Sequence, residues 1–102
     1  MKHVFVLKED CLHIFMPKEL DHHNVEGIRE GADAYLLSGQ VKHVVFDFTQ
    51  TGFMDSSGIG VIAGRYKKVA CFGGKVMAVH ANPRIRKILM LSGLKDMIEI
   101  VD

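Results

Sequence analysis

"FMDSSGIGVIAG", residues 53–64, decides how this chain is read. From its first glycine it runs G-I-G-V-I-A, a match to the G-x-G-x-x-G/A dinucleotide fingerprint. From its aspartate it is a carboxylate, two hydroxyls and a glycine opening a helix. The first reading makes a nucleotide-binding protein. The second places Ser56 and Ser57 at a helix mouth, where free N–H groups and the dipole tolerate an attached phosphate.

The flanking segments set this stretch in an alternating pattern. "VKHVVFDF" (41–48) has Val44, Val45 and Phe46 in succession, as expected of a strand covered on both faces. In the helix that follows, Ile59, Ile62, Ala63, Tyr66 and Ala70 share one side. "GGKVMAV" (73–79) is a turn and then a strand. Asn82 caps a third helix, Pro83 suits its first turn and Gly93 lies just past its end, with Ile85, Ile88 and Leu89 facing inward. "MIEIV" (97–101) alternates around Glu99 as a closing strand.

Upstream, Val4–Leu7 and Leu12–Met16 flank "KED" as an antiparallel hairpin, and Pro17 ends the second strand. The first helix is expected to begin at Asp21 as its cap, to bury Val25, Ile28, Ala32 and Leu36, and to stop at Gly39. The order is β-β-α-β-α-β-α-β. It predicts one α/β domain over residues 1–102, with a mixed, mostly parallel sheet, an N-terminal antiparallel hairpin and crossover helices.

Composition narrows the class. The chain has 102 residues, 48% of them hydrophobic and 25% charged, ordinary for a soluble globular domain. No apolar run approaches the roughly 18 residues of a membrane span, and "MKHVFVLKED" is too short in apolar residues for a secretory signal. A cytoplasmic protein is expected. Cys11 and Cys71 have neither disulfide-framework nor metal-ligand spacing and read as buried free thiols.

Residues 1–55 hold five Lys/Arg against nine Asp/Glu, net −4, and residues 56–102 hold eight against three, net +5. Opposed faces of this kind orient a charged partner. "RYKK" and "RIRK" are too short and too poor in aromatics for a nucleic-acid surface, so Arg65 and Lys68 read as solvated.

The cofactor reading fails on context. Seven residues, "TQTGFMD", separate Phe48 from Ser56, where the fingerprint needs glycine directly after a strand. The ribose-binding acid expected about 20 residues on is missing, and "VMAVHANP" offers only His80 and Asn82. No G-x-S-x-G elbow or H-E-x-x-H is present, and His22 and His23 diverge on a helix rather than converge on a metal. The chain reads as neither an enzyme nor a cofactor or metal binder. Gly60 and Gly64 share a helix face, open to a partner or to close packing within the domain; for Gly58 and Gly60, beside the serines, internal packing is the weaker account.

"FMDSSGIGVIAGRYK", with "HVVFDFTQTG" before it and "GGKVMAVHANPRIRKILMLSGL" after it, resembles the anti-sigma factor antagonists with a STAS domain, and among them the sporulation branch. "ELDHHN" (19–24) matches a second block of that family. Members often carry glycine before "ELD", where this chain has Pro17-Lys18, and many continue past the last strand into another helix. The resemblance implies a STAS-type fold and a partner-switching phosphoprotein of the sporulation sigma-F pathway, or else of a general stress-response circuit.

It implies phosphorylation of Ser56 by the partner, an anti-sigma factor that is itself a serine kinase. The unphosphorylated form binds that partner and releases the sigma factor; phosphorylation ends binding, and a serine phosphatase acting on the phosphorylated form restores it. No nucleic acid or membrane takes part. Asp21, His22, His23, Asp55, Ser56, Ser57, Gly58 and Gly60 are the expected partner-binding residues. Asp55 is equally a helix cap, with Ser57 the other candidate for the cap and the second for phosphorylation. Asp21 has capping as its ordinary role. "MLSGL" (90–94) reads as a Schellman-type helix stop.

Overall fold

The two apolar N-terminal runs pair as the hairpin. In the computed structural model, which describes residues 4–101, β1 (Val4–Lys8) and β2 (Cys11–Phe15) are antiparallel, with Lys8 opposite Cys11 across a Glu9-Asp10 turn. There follow β3 (Glu19–Leu20), α1 (Val25–Leu37), β4 (His43–Asp47), β5 (Phe53–Met54), α2 (Ser56–Ala70), β6 (Val76–Val79) and α3 (Pro83–Leu91). A 3-10 turn (Leu94–Asp96) and β7 (Glu99–Ile100) complete the fold. The main sheet has the order β1-β2-β4-β6-β7, parallel beyond the hairpin, and β3 pairs with β5 in a separate parallel ribbon. The ribbon and the 3-10 turn add to the expected order.

Strands β2, β4, β6 and β7 are laid down in one direction across the sheet, so right-handed connections put all three helices on one face. Leu12, Ile14, Val44, Phe46, Val76 and Ala78 point into that face and are buried with Ile28, Ile62, Ile85 and Leu89 from the helices. Their alternates His13, Phe15, Val45, Met77 and Val79 are only half buried. The expectation that Val44–Phe46 is covered on both sides is therefore corrected. β-branched residues suit a half-exposed sheet surface as well as a core, which is why the run misled. Asp47 is the buried exception on the open face: Oδ2 accepts from His13 Nε2 at 2.9 Å and Oδ1 from the Thr49 N–H at 2.9 Å.

Helix α1 begins at Val25, not at Asp21. Asp21 Oδ1 accepts the His23 N–H at 2.9 Å, and the Asp21 N–H donates to Asn24 Oδ1 at 3.0 Å. These local bonds make a tight turn that competes with helix. The inward stripe of α1 is as expected: Ile28 and Ala32 are buried, and Val25 and Leu36 pack against the core. Gly39 (φ 79°) and Gly93 (φ 88°) stop α1 and α3 in the left-handed region. Asn82 caps α3 by accepting the Ile85 N–H at 2.8 Å, with Pro83 in the first turn.

The buried side of α2 is Gly58, Val61, Ile62, Arg65 and Val69. Ile59, Ala63 and Tyr66 flank it half buried, and Ala70 is exposed, so the stripe is turned from the one expected. Arg65 is the reason. Its side chain is 6% exposed and its Nε lies 3.0 Å from Asp33 Oδ1 on α1, while Lys68 Nζ reaches Asp33 Oδ2 at 3.0 Å. A guanidinium is tolerated inside when a carboxylate on the neighbouring helix neutralises it. Of the pair read as solvated, only Lys68 is.

The cysteines are not buried thiols. Cys71 is exposed just beyond the last buried residue of α2, and Cys11 is half buried on the open sheet face, where burial and then Asp10 push its thiol up.

Candidate functional site

Two dipeptide strands build the site. Glu19 and Leu20 pair with Phe53 and Met54, which brings "ELDHHN" beside "FMDSS". The ribbon is anchored from both sides. Gly52 N–H donates to Lys18 O at 2.8 Å, Thr51 Oγ1 to Pro17 O at 2.7 Å, and Asn82 Nδ2, from the cap of α3, to Thr51 O at 3.2 Å.

Asp55 closes the mouth of α2. Its N–H donates to Leu20 O at 3.1 Å, its Oδ1 accepts the Ser57 N–H at 2.8 Å, and its Oδ2 accepts the His22 N–H at 3.3 Å. His22 Nδ1 lies 3.6 Å from the same Oδ2. Desolvation works to raise the Asp55 carboxyl, but the backbone bonds from Ser57 and His22 outweigh it and hold the group below the usual range. Asp55, not Ser57, is thus the cap. Ser56, first residue of α2, is exposed, and among the described residues its hydroxyl has no side-chain hydrogen bond.

Of the remaining expected residues, Asp21 is half buried in its turn and His22 and His23 are exposed with ring centroids 4.0 Å apart. Gly58 is a correction. A Cβ there would lie 2.7 Å from Met54 Cγ and 2.9 Å from Leu20 Cδ2, so this glycine lets the ribbon pack directly on the first turn of α2. At Gly60 and Gly64 a Cβ would meet nothing within 4 Å, so neither serves packing inside the domain. Asp21–Asn24, Asp55–Ser57 and Gly60 therefore lie together around Ser56, with Gly58 buried beneath them. The ribbon that joins them was missed because two-residue strands carry no periodicity; the shared apolar-plus-acid endings of "ELD" and "FMD" were the only sign.

Among the described residues, no helix is long and apolar enough to cross a membrane, and no group of three His, Cys, Asp or Glu is placed to hold a metal.

A family model for the STAS domain matches residues 4–102. This chain belongs to the STAS domain family. It is 39% identical over 84 residues to the anti-sigma F factor antagonist of Paenibacillus polymyxa, covering 82% of this chain and 72% of that one. With the anti-sigma-B factor antagonist of Listeria monocytogenes it shares 29% over 94 residues, covering 89% and 79%. The fold superimposes on SpoIIAA in its unphosphorylated form with TM-score 0.83, 26% identity and coverage of 99% and 88%. On the phosphorylated Bacillus SpoIIAA the values are 0.81, 28%, 99% and 92%. The STAS reading from the serine block is borne out, as is the α/β architecture with its antiparallel hairpin.

Proposed function

We propose that this STAS protein is a cytoplasmic anti-sigma factor antagonist of the sporulation sigma-F type, switched by phosphorylation of Ser56. In its unmodified form it binds an anti-sigma factor that is also a serine kinase, and so frees the sigma factor. Transfer of a phosphate to Ser56 ends binding, and a serine phosphatase restores it. It is a binding module and the substrate of its partner, not an enzyme.

The observation that carries the reading is the state of Ser56. It stands exposed at the first position of a 15-residue helix, while the capping work beside it is done by Asp55. A kinase can reach the hydroxyl without breaking a structural bond. The helix dipole tolerates the −1.5 to −2 charges that arrive, so the fold survives and the effect falls on the interface. Bulk, desolvation and repulsion from Asp55 oppose the partner there. A penalty of about 3–4 kcal/mol weakens binding by about two to three decades.

The test is phosphate transfer from the anti-sigma kinase of the same genome with Mg-ATP, followed by peptide mapping and a binding assay. One phosphate on Ser56 with loss of binding is expected. Modification of Ser57 instead would move the site, and no transfer from an active kinase would remove the proposal.

A further inference from the structure

One imidazole, backed by a second, stands at the carboxylate beside the switch serine. His22 donates its backbone N–H to Asp55 Oδ2 at 3.3 Å, and its ring Nδ1 lies 3.6 Å from the same oxygen. The backbone bond fixes the residue in place, while the side chain, 69% exposed, is free to turn or to take up a proton. His23 stacks on it with ring centroids 4.0 Å apart, and its own N–H is held by Asp21 Oδ1 at 2.9 Å.

Asp55 faces the His22 ring from the mouth of α2, and Asp21 and His23 belong to its own turn. Glu19 on β3 is exposed, and Glu26 on α1 is paired with Arg29. A phosphate on Ser56 adds −1.5 to −2 charges one residue beyond Asp55, successive Cα atoms being about 3.8 Å apart. The side chains at hand that can answer this charge are the imidazoles, which gain a proton in the range, about pH 5–8, where phosphoserine loses its second. Two stacked rings do not both charge cheaply. One proton therefore serves the pair, and His22, the ring in contact with Asp55, takes it.

We infer that the His22 imidazolium is the counter-ion of the phosphate on Ser56, its Nδ1 turning from Asp55 to a phosphate oxygen; the inference rests on the phosphorylation reading above. In the unmodified chain the ring leans on Asp55 and leaves the serine hydroxyl open. In the modified chain it ties the Asp21–Asn24 turn to the phosphate, so a partner meets a phosphate–imidazole pair in place of a bare hydroxyl. The two groups then hold their protons as a coupled pair. The pair is complete where His22 is charged and the phosphate doubly ionised, and it is lost as pH rises through the raised His22 midpoint.

The experiment places phosphoserine at position 56 during translation, by stop-codon suppression, so that no kinase is needed. Histidine ring protons and the phosphorus resonance are followed by NMR across the neutral pH range, against the unmodified chain. The His22 midpoint is expected to rise by about one pH unit on modification, the effect of two screened surface charges within about 6 Å. His43, at the start of β4 and bonded to the Lys75 N–H, should stay within about 0.2 unit, being beyond the screening distance. In His22→Gln the phosphorus midpoint should rise by a comparable amount, because coupling between two titrating groups is reciprocal. An unmoved His22, a shift confined to His23, or a phosphorus midpoint that His22→Gln leaves unchanged overturns the pairing. Equal shifts at His22 and His43 overturn it too, since they report a change throughout the fold. If the anti-sigma kinase of the same genome fails to modify the wild-type chain, the proposed function falls, while the translated phosphoserine still decides the chemistry of His22.

Discussion

The Asp55 carboxylate takes the backbone N–H of Ser57 at 2.8 Å and in doing so leaves the hydroxyl of Ser56, the residue between them, outside the capping network. Structure and switch are thereby divided between neighbours. Asp55→Ala should cost about 0.5–2 kcal/mol in urea unfolding, the usual effect of losing a cap, because the His22 N–H loses its acceptor as well. Asp55→Asn, an equally good cap, should stay within about 0.5 kcal/mol of wild type. Equal losses in both would show that the charge, not the cap, holds this end of α2.

The glycines of α2 should respond with opposite signs. At Gly58 a methyl group would press on Met54 and Leu20, both buried. Overpacking of that kind costs about 1–3 kcal/mol, more than any gain in helix propensity at the first turn. At Gly64 the added methyl meets nothing within 4 Å, and alanine is favoured over glycine by about 1 kcal/mol inside a helix. Thermal midpoints of Gly58→Ala and Gly64→Ala should therefore fall and rise, respectively. A rise in both would remove the claim that the β3–β5 ribbon rests on Gly58.

What was legible in the sequence was what repeats locally. Ile28 and Ala32 announced α1 by their spacing, Asn82 and Pro83 announced the start of α3, and the serine block announced the family. What was not legible depended on contacts between distant segments. Arg65 looks like a surface residue until Asp33 arrives from another helix, and Val45 looks like a core residue until the one-directional strand order leaves its face bare. Asp21 looks like a helix cap because its own turn and a helix start use the same carboxylate-to-N–H bond. The ribbon that assembles the site falls in the same class: Leu20 and Met54 pair across 34 positions of chain, in strands of two residues each.

The Arg65–Asp33 pair is predicted to stabilise the α1–α2 packing chiefly by avoiding an uncompensated charge. Asp33→Asn removes the carboxylate from a buried guanidinium and from Lys68. Breaking one partner of a buried pair costs about 3–5 kcal/mol, and the partial exposure of Asp33 places the expected loss near the lower end. The double variant Asp33→Asn/Arg65→Met should recover most of that loss, because no buried charge is then left unpaired and only the exposed Lys68 loses its partner. A double-mutant cycle in denaturant measures it, and strictly additive losses would exclude the coupling.

Acid stability should report the carboxylate on the open sheet face. Burial acts to raise Asp47, but hydrogen bonds from the Thr49 and His13 side chains and the Thr49 backbone, with the charge of His80, outweigh it and hold the carboxyl below its usual value. A folded value below the unfolded one stabilises the protein above the ordinary aspartate range, about pH 4, and that contribution disappears as pH falls through the lowered folded value. Stability attributable to Asp47 should thus be intact at pH 7 and 5 and decline below about pH 4. Asp47→Asn should make the acid limb of the stability curve shallower while lowering the plateau by about 1 kcal/mol. An unchanged acid slope would assign the decline to Asp55, whose carboxyl is lowered too.

Ser56→Asp separates loss of fold from loss of binding. The substitution puts a negative charge at the first position of α2, where the helix dipole stabilises it by about 0.3–1 kcal/mol, offset in part by repulsion from neighbouring Asp55. The thermal midpoint should therefore stay within a few degrees of wild type, and amide spectra should superimpose away from residues 54–58. Affinity for the anti-sigma factor should nevertheless fall, by less than phosphorylation itself achieves, since aspartate carries one charge and less bulk. Titration calorimetry on the unmodified chain, the variant and the phosphorylated chain should rank them in that order. If the variant binds as wild type does, charge alone is not the switch and the bulk of the phosphate carries it; if its spectrum changes throughout, the effect passes through the fold and the division of labour between Asp55 and Ser56 is wrong.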